Sequence, residues 1–324
     1  MLNINSEFKK AISFFENNKL ESAEEICLKI YNLDSKNFDN LRLLNFIYFK
    51  KNNFSKALDF INKAIEINPN FAEAYMEKGN ALNGIKKFDS AIKNYEKAIK
   101  INPNYSHAYY NKGLVFHELK KIKDAEENYS KAIKINPNHI YAYNNRAFAL
   151  QQLKKFDESL KNYNKVYQID PNFNFLLGKI AHTKSLLCHW ESLDKVLKIL
   201  KNKLNNNEAA SVPFDLLSLY DSPLLQKKTS EIFIEKTFGS KKNYEPFLNK
   251  IENKKIRIGY YSADFYSHAM THLLVRLFEL HDKSKFEIIA FSFGVEKNDE
   301  ISKRIYNSFD QFIKVNLKTD KEIA

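Results

Sequence analysis

A chain of 324 residues that is 44% hydrophobic and 28% charged, with 26 Phe and 18 Tyr, can build two folded domains and is excluded from the disordered class. Its net charge of +12 is spread in pairs such as Lys86-Lys87 and Lys120-Lys121, expected on solvated helix faces; no RNA-binding or zinc-finger signature accompanies it, so a nucleic-acid partner is disfavoured. Two distant cysteines, Cys27 and Cys188, argue against a disulfide framework, and the N-terminus has no signal-peptide core and the chain no apolar run of transmembrane length, so a cytoplasmic protein with no membrane partner is expected.

Along the chain, Pro69, Pro103, Pro137 and Pro171 recur every 34 residues within the phrase INPN or IDPN. That period belongs to the tetratricopeptide repeat, a helix–turn–helix unit. Residues 72–105 carry Tyr75, Gly79, Leu82, Ala91, Tyr95 and Ala98; residues 106–139 carry Tyr109, Gly113, Phe116, Ala125, Tyr129 and Ala132. Residues 140–173 follow with Tyr143, Ala147, Leu150, Ser159, Tyr163 and Val166. The small residues let paired helices approach, the aromatic ones fill the space between units, and the proline ends the second helix. A looser unit at 38–71 and a degenerate one before it, with Ser35 in the place of the proline, bring the array at 1–172 to about five repeats.

The first helix of each unit is expected to line a concave groove, where Asn111 and Asn145 hold equivalent positions. A carboxamide can grip an extended peptide backbone through both donor and acceptor, although in so Asn-rich a chain ordinary polar surface is an equal reading. Glu77 stands at that position in the preceding unit, so any asparagine ladder is short.

From 173 to about 254 the 34-residue period is lost but helical patterning continues. Residues 180–204 form one amphipathic stretch, 205–210 a polar turn, and 222–238 a helix with Pro223 in its first turn. Residues 241–249 read as a connector. The adjacent Cys188 and His189 lack further ligands nearby, which argues against a metal, and Trp190 is expected in core or inter-domain packing.

At 255 the pattern changes to alternating strands and helices: strand 255–262, helix 270–281 with Leu273, Leu274, Leu277 and Phe278 inward, strand 286–293, helix 298–309 and strand 312–315. This order implies a parallel sheet with right-handed crossovers, in which ligands lie beyond the carboxyl ends of strands. Asp264 and His268 fall there. His268 and His272 have helical spacing, but Ala269 stands where a zinc protease needs Glu, so metal is disfavoured again. A histidine at such a turn serves as a general base, an oxyanion donor, a helix cap or a packing group, and the residues alone leave these open.

The phrases CHWESLDKVL, VPFDLLSLYDSPLLQ, IRIGYYSADFYSHAMTHLL, LFELHDKSKFEIIAFSFG and FDQFIKV resemble the inter-domain and early catalytic regions of the bacterial SPINDLY-like protein O-GlcNAc transferases. The resemblance implies a mainly α fold: a tetratricopeptide-repeat superhelix at 1–172, a helical inter-domain region at 173–254, and the first βαβαβ portion of a Rossmann-like GT-B lobe at 255–324. It implies transfer of N-acetylglucosamine from UDP-GlcNAc to Ser or Thr of acceptor proteins, with inversion and with no metal or other cofactor. Acceptor peptides would lie in the repeat groove, with Asn111 and Asn145 as contacts. His268 maps onto the family's active-site histidine, proposed there as a base; Asp264 and His272 fall in the same phrase as substrate-binding candidates. Ala269 departs from the proline common in the family. The family continues a few hundred residues beyond the point matching Ala324, so the expectation is a truncated chain, inactive alone, with UDP-GlcNAc bound only by a full-length enzyme. A non-catalytic peptide-binding adaptor is the alternative.

Overall fold

The computed structural model describes residues 4–239, 255–294 and 297–316. It divides into two compact units, Met1–Lys242 and Asn243–Ala324. The expected connector at 241–249 lies outside the described residues.

The first unit is built from helix pairs: α1 (Ile4–Glu16) with α2 (Leu20–Leu33), α3 (Phe38–Lys50) with α4 (Phe54–Ile67), α5 (Ala72–Gly84) with α6 (Phe88–Ile101), α7 (Ser106–Glu118) with α8 (Ile122–Ile135), and α9 (Ile140–Gln152) with α10 (Phe156–Ile169). These are the five expected repeats. The turn inside each pair is one backbone motif: Asn18, Asn52, Lys86, Lys120 and Lys154 all hold a left-handed φ between 56° and 60°. At Lys86 the N–H reaches Asn83 O at 2.8 Å, and the next N–H, of Lys87, reaches Leu82 O at 2.9 Å. Those two bonds are the Schellman closure of α5, and Lys87 then caps α6. The first lysine of each pair is therefore a turn residue, not part of a solvated helix face.

The INPN phrase ends each second helix in two ways. Proline cannot continue the helix, and the preceding Asn or Asp folds over it: Asn102 Oδ1 accepts from Asn104 N at 3.1 Å, Asn136 Oδ1 from Asn138 N at 3.0 Å, and Asp170 Oδ1 from Asn172 N at 2.9 Å. Asp34 does the same for Lys36 N without a proline. Tyr95, Tyr129 and Tyr163 are fully buried between helices. Gly79 and Gly113 leave the room for two of these rings: a Cβ on Gly79 would sit 2.5 Å from Tyr95, and one on Gly113 2.6 Å from Tyr129.

The stretch expected as one amphipathic segment at 180–204 is divided. α11 (Leu176–Leu186) and α12 (Trp190–Asn205) meet at Cys188, which has φ 55° and lies 34 residues after Lys154. Cys188 N reaches Ser185 O and His189 N reaches Lys184 O, the same two closing bonds. The period therefore persists as a sixth helix pair. It hides because Leu193, Leu197 and Leu200 stand where earlier units have Ala or Ser, Tyr, and Ala or Val, and Asn205 replaces the proline. Residues 209–211 then run against α11, where Gly178 N donates to Ala210 O at 2.9 Å and any Cβ on Gly178 would strike Ser211. Short α13 (Pro213–Leu217) and α14 (Pro223–Phe238), the latter capped by Ser222, complete this unit. Trp190 opens α12 at 59% exposure and is no core residue.

The second unit runs β1 (Ile256–Ser262), α15 (Ala269–Glu279), β2 (Phe286–Ser292), α16 (Glu300–Ser308), β3 (Gln311–Lys314). The three strands are parallel in the order β1-β2-β3. Ile258, Tyr260, Ile288, Ala290 and Phe312 from one sheet face pack with Val275 and Phe278 of α15 and Ile305 of α16, so both helices cover that face. Leu273 and Leu277, expected inward, are 76% and 49% exposed. At 100° per residue the buried stripe is Thr271, Val275 and Phe278, and Leu273 and Leu277 lie off it with Met270 and Leu280. Among the described residues no helix is long and apolar enough to cross a membrane.

Two outcomes test this account. A side chain at left-handed φ costs about 1 kcal/mol that glycine avoids in part. Lys120→Gly should therefore raise the unfolding free energy by about 0.5–1 kcal/mol, read from denaturant titration, and the β-branched Lys120→Val should lower it; a less stable Gly variant would refute the turn assignment. His139, the N-cap of α9, accepts from Ala142 N through Nδ1 at 3.2 Å while Nε2 is buried without a partner. Burial, and then the nearby His107, hold its pKa below the ordinary imidazole value. The unfolded chain takes up the proton first, so this group's stability is present above about pH 6.5 and is lost as pH falls below it. Thermal unfolding should show the wild type losing more stability between pH 7.5 and 5 than His139→Asn, which keeps a capping oxygen.

Candidate functional site

Two places bring polar side chains together. The first is the carboxyl end of the sheet in the second unit. β1 ends at Ser262, and the chain turns through 263–268 before α15 begins. Ser262 Oγ accepts from Asp264 N at 3.0 Å, and Asp264 O accepts from the Thr271 hydroxyl, tying the start of the turn to the first turn of α15. His268 is the N-cap of α15, with an extended backbone (φ −139°, ψ 152°), and its Nδ1 accepts from Met270 N at 3.3 Å. The helix-capping alternative for His268 is thus realised. His272 N donates to His268 O at 3.1 Å, a helical bond across the four-residue spacing, while the extended backbone of His268 leaves it at the cap rather than within the helix. His272 is exposed and its Nε2 lies 3.2 Å from Ser267 Oγ. The structure therefore gathers Asp264, Ser267, His268 and His272 around one short turn beyond a strand end, where crossover sheets place ligand sites.

The cap bears on chemistry. A neutral imidazole that accepts at Nδ1 carries its proton on Nε2 and can donate there. Nε2 can accept a proton only in the other tautomer, with the ring hydrogen on Nδ1, and that change gives up the bond from Met270. At 3.3 Å that bond is long, so little is lost.

The second place is the line of first helices in the array. Positions 43, 77, 111, 145 and 179 are successive repeats of one site, held by Leu43, Glu77, Asn111, Asn145 and Lys179. Each polar member reaches back to the previous first helix, 35 residues earlier. Glu77 pairs with Arg42 and also accepts from Asn45 at 3.3 Å. Asn111 Nδ2 lies 3.1 Å from Met76 Sδ and donates to Asn80 Oδ1 at 3.0 Å. Asn145 donates to the Tyr110 hydroxyl at 3.1 Å, and Lys179 to Asn144 Oδ1 at 3.0 Å. Asn111 and Asn145 are half-buried, as equivalent positions should be, but their amide donors already serve this ladder.

The charged members sit at the two ends. Glu77 is 2% exposed; burial pushes its carboxyl above the ordinary range, against the pull of Arg42, whose guanidinium lies 4.6 Å from the Phe71 ring. Burial lowers the Lys179 ammonium pKa, opposed by Asp215. Lys179 and Tyr110 escaped the sequence reading, yet counting 34 forward from Asn145 finds Lys179. Cys188 and His189 lie in the α11–α12 turn, and among the described residues no group of three or more His, Cys, Asp or Glu is placed to hold a metal ion.

Comparison with known proteins finds two kinds of match along the chain. Residues 187–322 match glycosyl transferase family 41, and tetratricopeptide repeats match at 46–71, 79–120, 106–139 and 140–173. The probable UDP-N-acetylglucosamine–peptide N-acetylglucosaminyltransferase SEC of Arabidopsis thaliana is 26% identical over 160 residues, which is 45% of this chain and 16% of that protein. The UDP-N-acetylglucosamine–peptide N-acetylglucosaminyltransferase of Caenorhabditis elegans is 25% identical over 144 residues, 40% of this chain and 12% of that protein. The chain thus spans a small part of the length of these relatives. Among solved structures, PilW, a type IV pilus biogenesis factor, shares the fold at 17% identity and TM-score 0.56 over 64% of this chain and 96% of its own. Pseudomonas aeruginosa pilF does so at 16% identity and TM-score 0.55, over 69% and 95%.

Proposed function

Starting from a chain that joins tetratricopeptide repeats to a glycosyl transferase family 41 segment, we propose that it acts in protein O-GlcNAc transfer. In this reading N-acetylglucosamine passes from UDP-GlcNAc to a Ser or Thr hydroxyl of an acceptor protein held by the repeats. The observation that carries it is the placement of His268 and Asp264 on the turn beyond β1, inside the segment that matches the transferase family.

The chemistry follows from the turn. The acceptor oxygen attacks the anomeric carbon as the bond from that carbon to the diphosphate oxygen breaks, and UDP leaves with the electron pair. The hydroxyl proton must go to a base. His268, held at the mouth of α15, is that base in this proposal: in the tautomer with its hydrogen on Nδ1, which gives up the bond from Met270 N–H, it orients the hydroxyl through Nε2 and takes the proton there, becoming imidazolium. His272 and Asp264 line the same turn and contact substrate. The first helices of the array supply the acceptor groove, with Asn111 and Asn145 along it. The protein works in the cytoplasm in this reading.

Two measurements on the intact protein test the proposal. His268→Ala should lower turnover on a Ser/Thr peptide by about 10²–10⁴-fold, the usual contribution of a positioned acid–base group, with a much smaller change in donor affinity. Unchanged turnover removes His268 from the chemistry. Calorimetry with UDP-GlcNAc supplies the second: saturable binding supports the transferase reading, whereas peptide capture with neither sugar binding nor transfer points to an adaptor.

A further inference from the structure

The turn that carries His268 is held from outside by the segment between β2 and α16. Phe293 N donates to Ser262 O at 3.2 Å. Gly294 passes so close to Ala263 that a Cβ would stand 1.7 Å from the Ala263 carbonyl oxygen, so only glycine fits there. Lys297 Nζ lies 4.1 Å from the centre of the Tyr266 ring, a cation–π contact. The last anchor is Asp299. Its Oδ1 caps α16, accepting from Ser302 N at 2.8 Å and Ser302 Oγ at 3.0 Å, while its Oδ2 accepts from Ser267 N at 3.1 Å. One carboxylate thus fixes the start of α16 and the Tyr266–Ser267 peptide, whose amide belongs to the residue before His268.

We propose that Asp299 is a positioning residue: it sets the orientation of His268 by holding the Ser267 amide, a role separate from its capping of α16. The inference rests on the reading that His268 acts in transfer. His268 has an extended backbone between a turn and a helix, so the course of the chain through Ser267 governs where the imidazole points. Released from Oδ2, the Tyr266–Ser267 peptide is free to rotate and to carry Ser267 and His268 with it, and a displacement of about 1 Å at a reacting group costs on the order of 100-fold in rate. The hydrogen bonds from Ser302 and Ser267 also hold the Asp299 carboxyl below its ordinary range, so it remains an acceptor at neutral pH.

The two roles separate chemically. Asparagine caps a helix as well as aspartate does. In Asp299→Asn the amide oxygen keeps the bonds from Ser302, and the NH₂ that replaces Oδ2 cannot accept from Ser267. Asp299→Ser also caps α16 but does not reach Ser267, and it serves as the second variant. Both should keep the melting temperature and the exchange protection of the α16 amides, while the Ser267 amide exchanges faster. In the intact protein, turnover should fall about 10- to 100-fold with KM for UDP-GlcNAc changed less than twofold. The double variant Asp299→Asn/His268→Ala should be no slower than His268→Ala alone, because Asp299 acts through the histidine.

The proposal is overturned by unchanged Ser267 exchange in both variants. It is also overturned if His268→Ala is inactive while Asp299→Asn turns over like the wild type. If His268→Ala itself keeps full turnover, the reading of His268 fails and the positioning role falls with it. The exchange measurement still reports on the Ser267 bond in that case, so the two failures are told apart.

Discussion

A left-handed residue every 34 positions is the constraint on which the array depends. An L-residue pays for that conformation, and six of them adopt it at 18, 52, 86, 120, 154 and 188 with φ between 55° and 60°. Each such turn satisfies the last carbonyls of one helix and makes the following residue the cap of the next, leaving no spare residue in between. The first five pairs are therefore alike in length, a helix of 13 residues followed by one of 14. Because they are alike, a residue on one first helix meets the residue 35 positions later on the next: Arg42 with Glu77, Tyr110 with Asn145, Asn144 with Lys179, and His117 with Gln152.

That regularity limits what the groove asparagines can do. Two donors and two lone pairs are the whole capacity of a carboxamide. Asn145 gives one hydrogen to Tyr110 and receives one from Asn144, while Asn111 turns its nitrogen toward Asn80 and Met76. Under the proposed acceptor role, a peptide backbone along this line would meet the Asn111 carbonyl oxygen, an acceptor for peptide N–H, more readily than a free donor. The ladder also fixes the side-chain rotamers before any ligand arrives, which lowers the entropy lost on binding. Its ends differ in charge, with Glu77 neutralised by Arg42 and Lys179 bound to a neutral amide.

Much of this fold was legible because the proline and the small residues report backbone needs directly. INPN announces a helix end, and the Asn within it proves to be as mechanical as the proline, folding its side chain over it. The sixth pair was not legible. Its turn uses Cys188, a residue with no turn preference, and leucines replace the small contact residues, so only backbone torsions reveal the period. The outward leucines of α15 misled for a different reason: a run of apolar residues contains two stripes, and burial at Val275 and Phe278 decides between them only after the sheet is formed. In the candidate site, His268 and Asp264 stood out through their phrase. Asp299 did not, because an Asp before a helix reads as a cap, and nothing local reveals that its second oxygen reaches a turn 32 residues earlier.

Under the proposed function, one histidine would serve both as a structural cap and as a reacting group. Capping needs a lone pair on Nδ1, and base chemistry needs one on Nε2; a neutral ring offers only one at a time. Were the cap strong, the ring would be locked as a donor. The bond to Met270 is long at 3.3 Å, whereas the preceding turn is held from elsewhere, by Asp299 on the Ser267 amide and by Thr271 on the Asp264 carbonyl. The turn therefore does not depend on the imidazole for its shape. Position is supplied by the backbone anchors, and the ring is left able to exchange its proton between nitrogens without unravelling the start of α15. In the proposed reading this division of labour puts the demand for rigidity on groups that do not react, and the imidazole keeps the freedom that proton transfer would require.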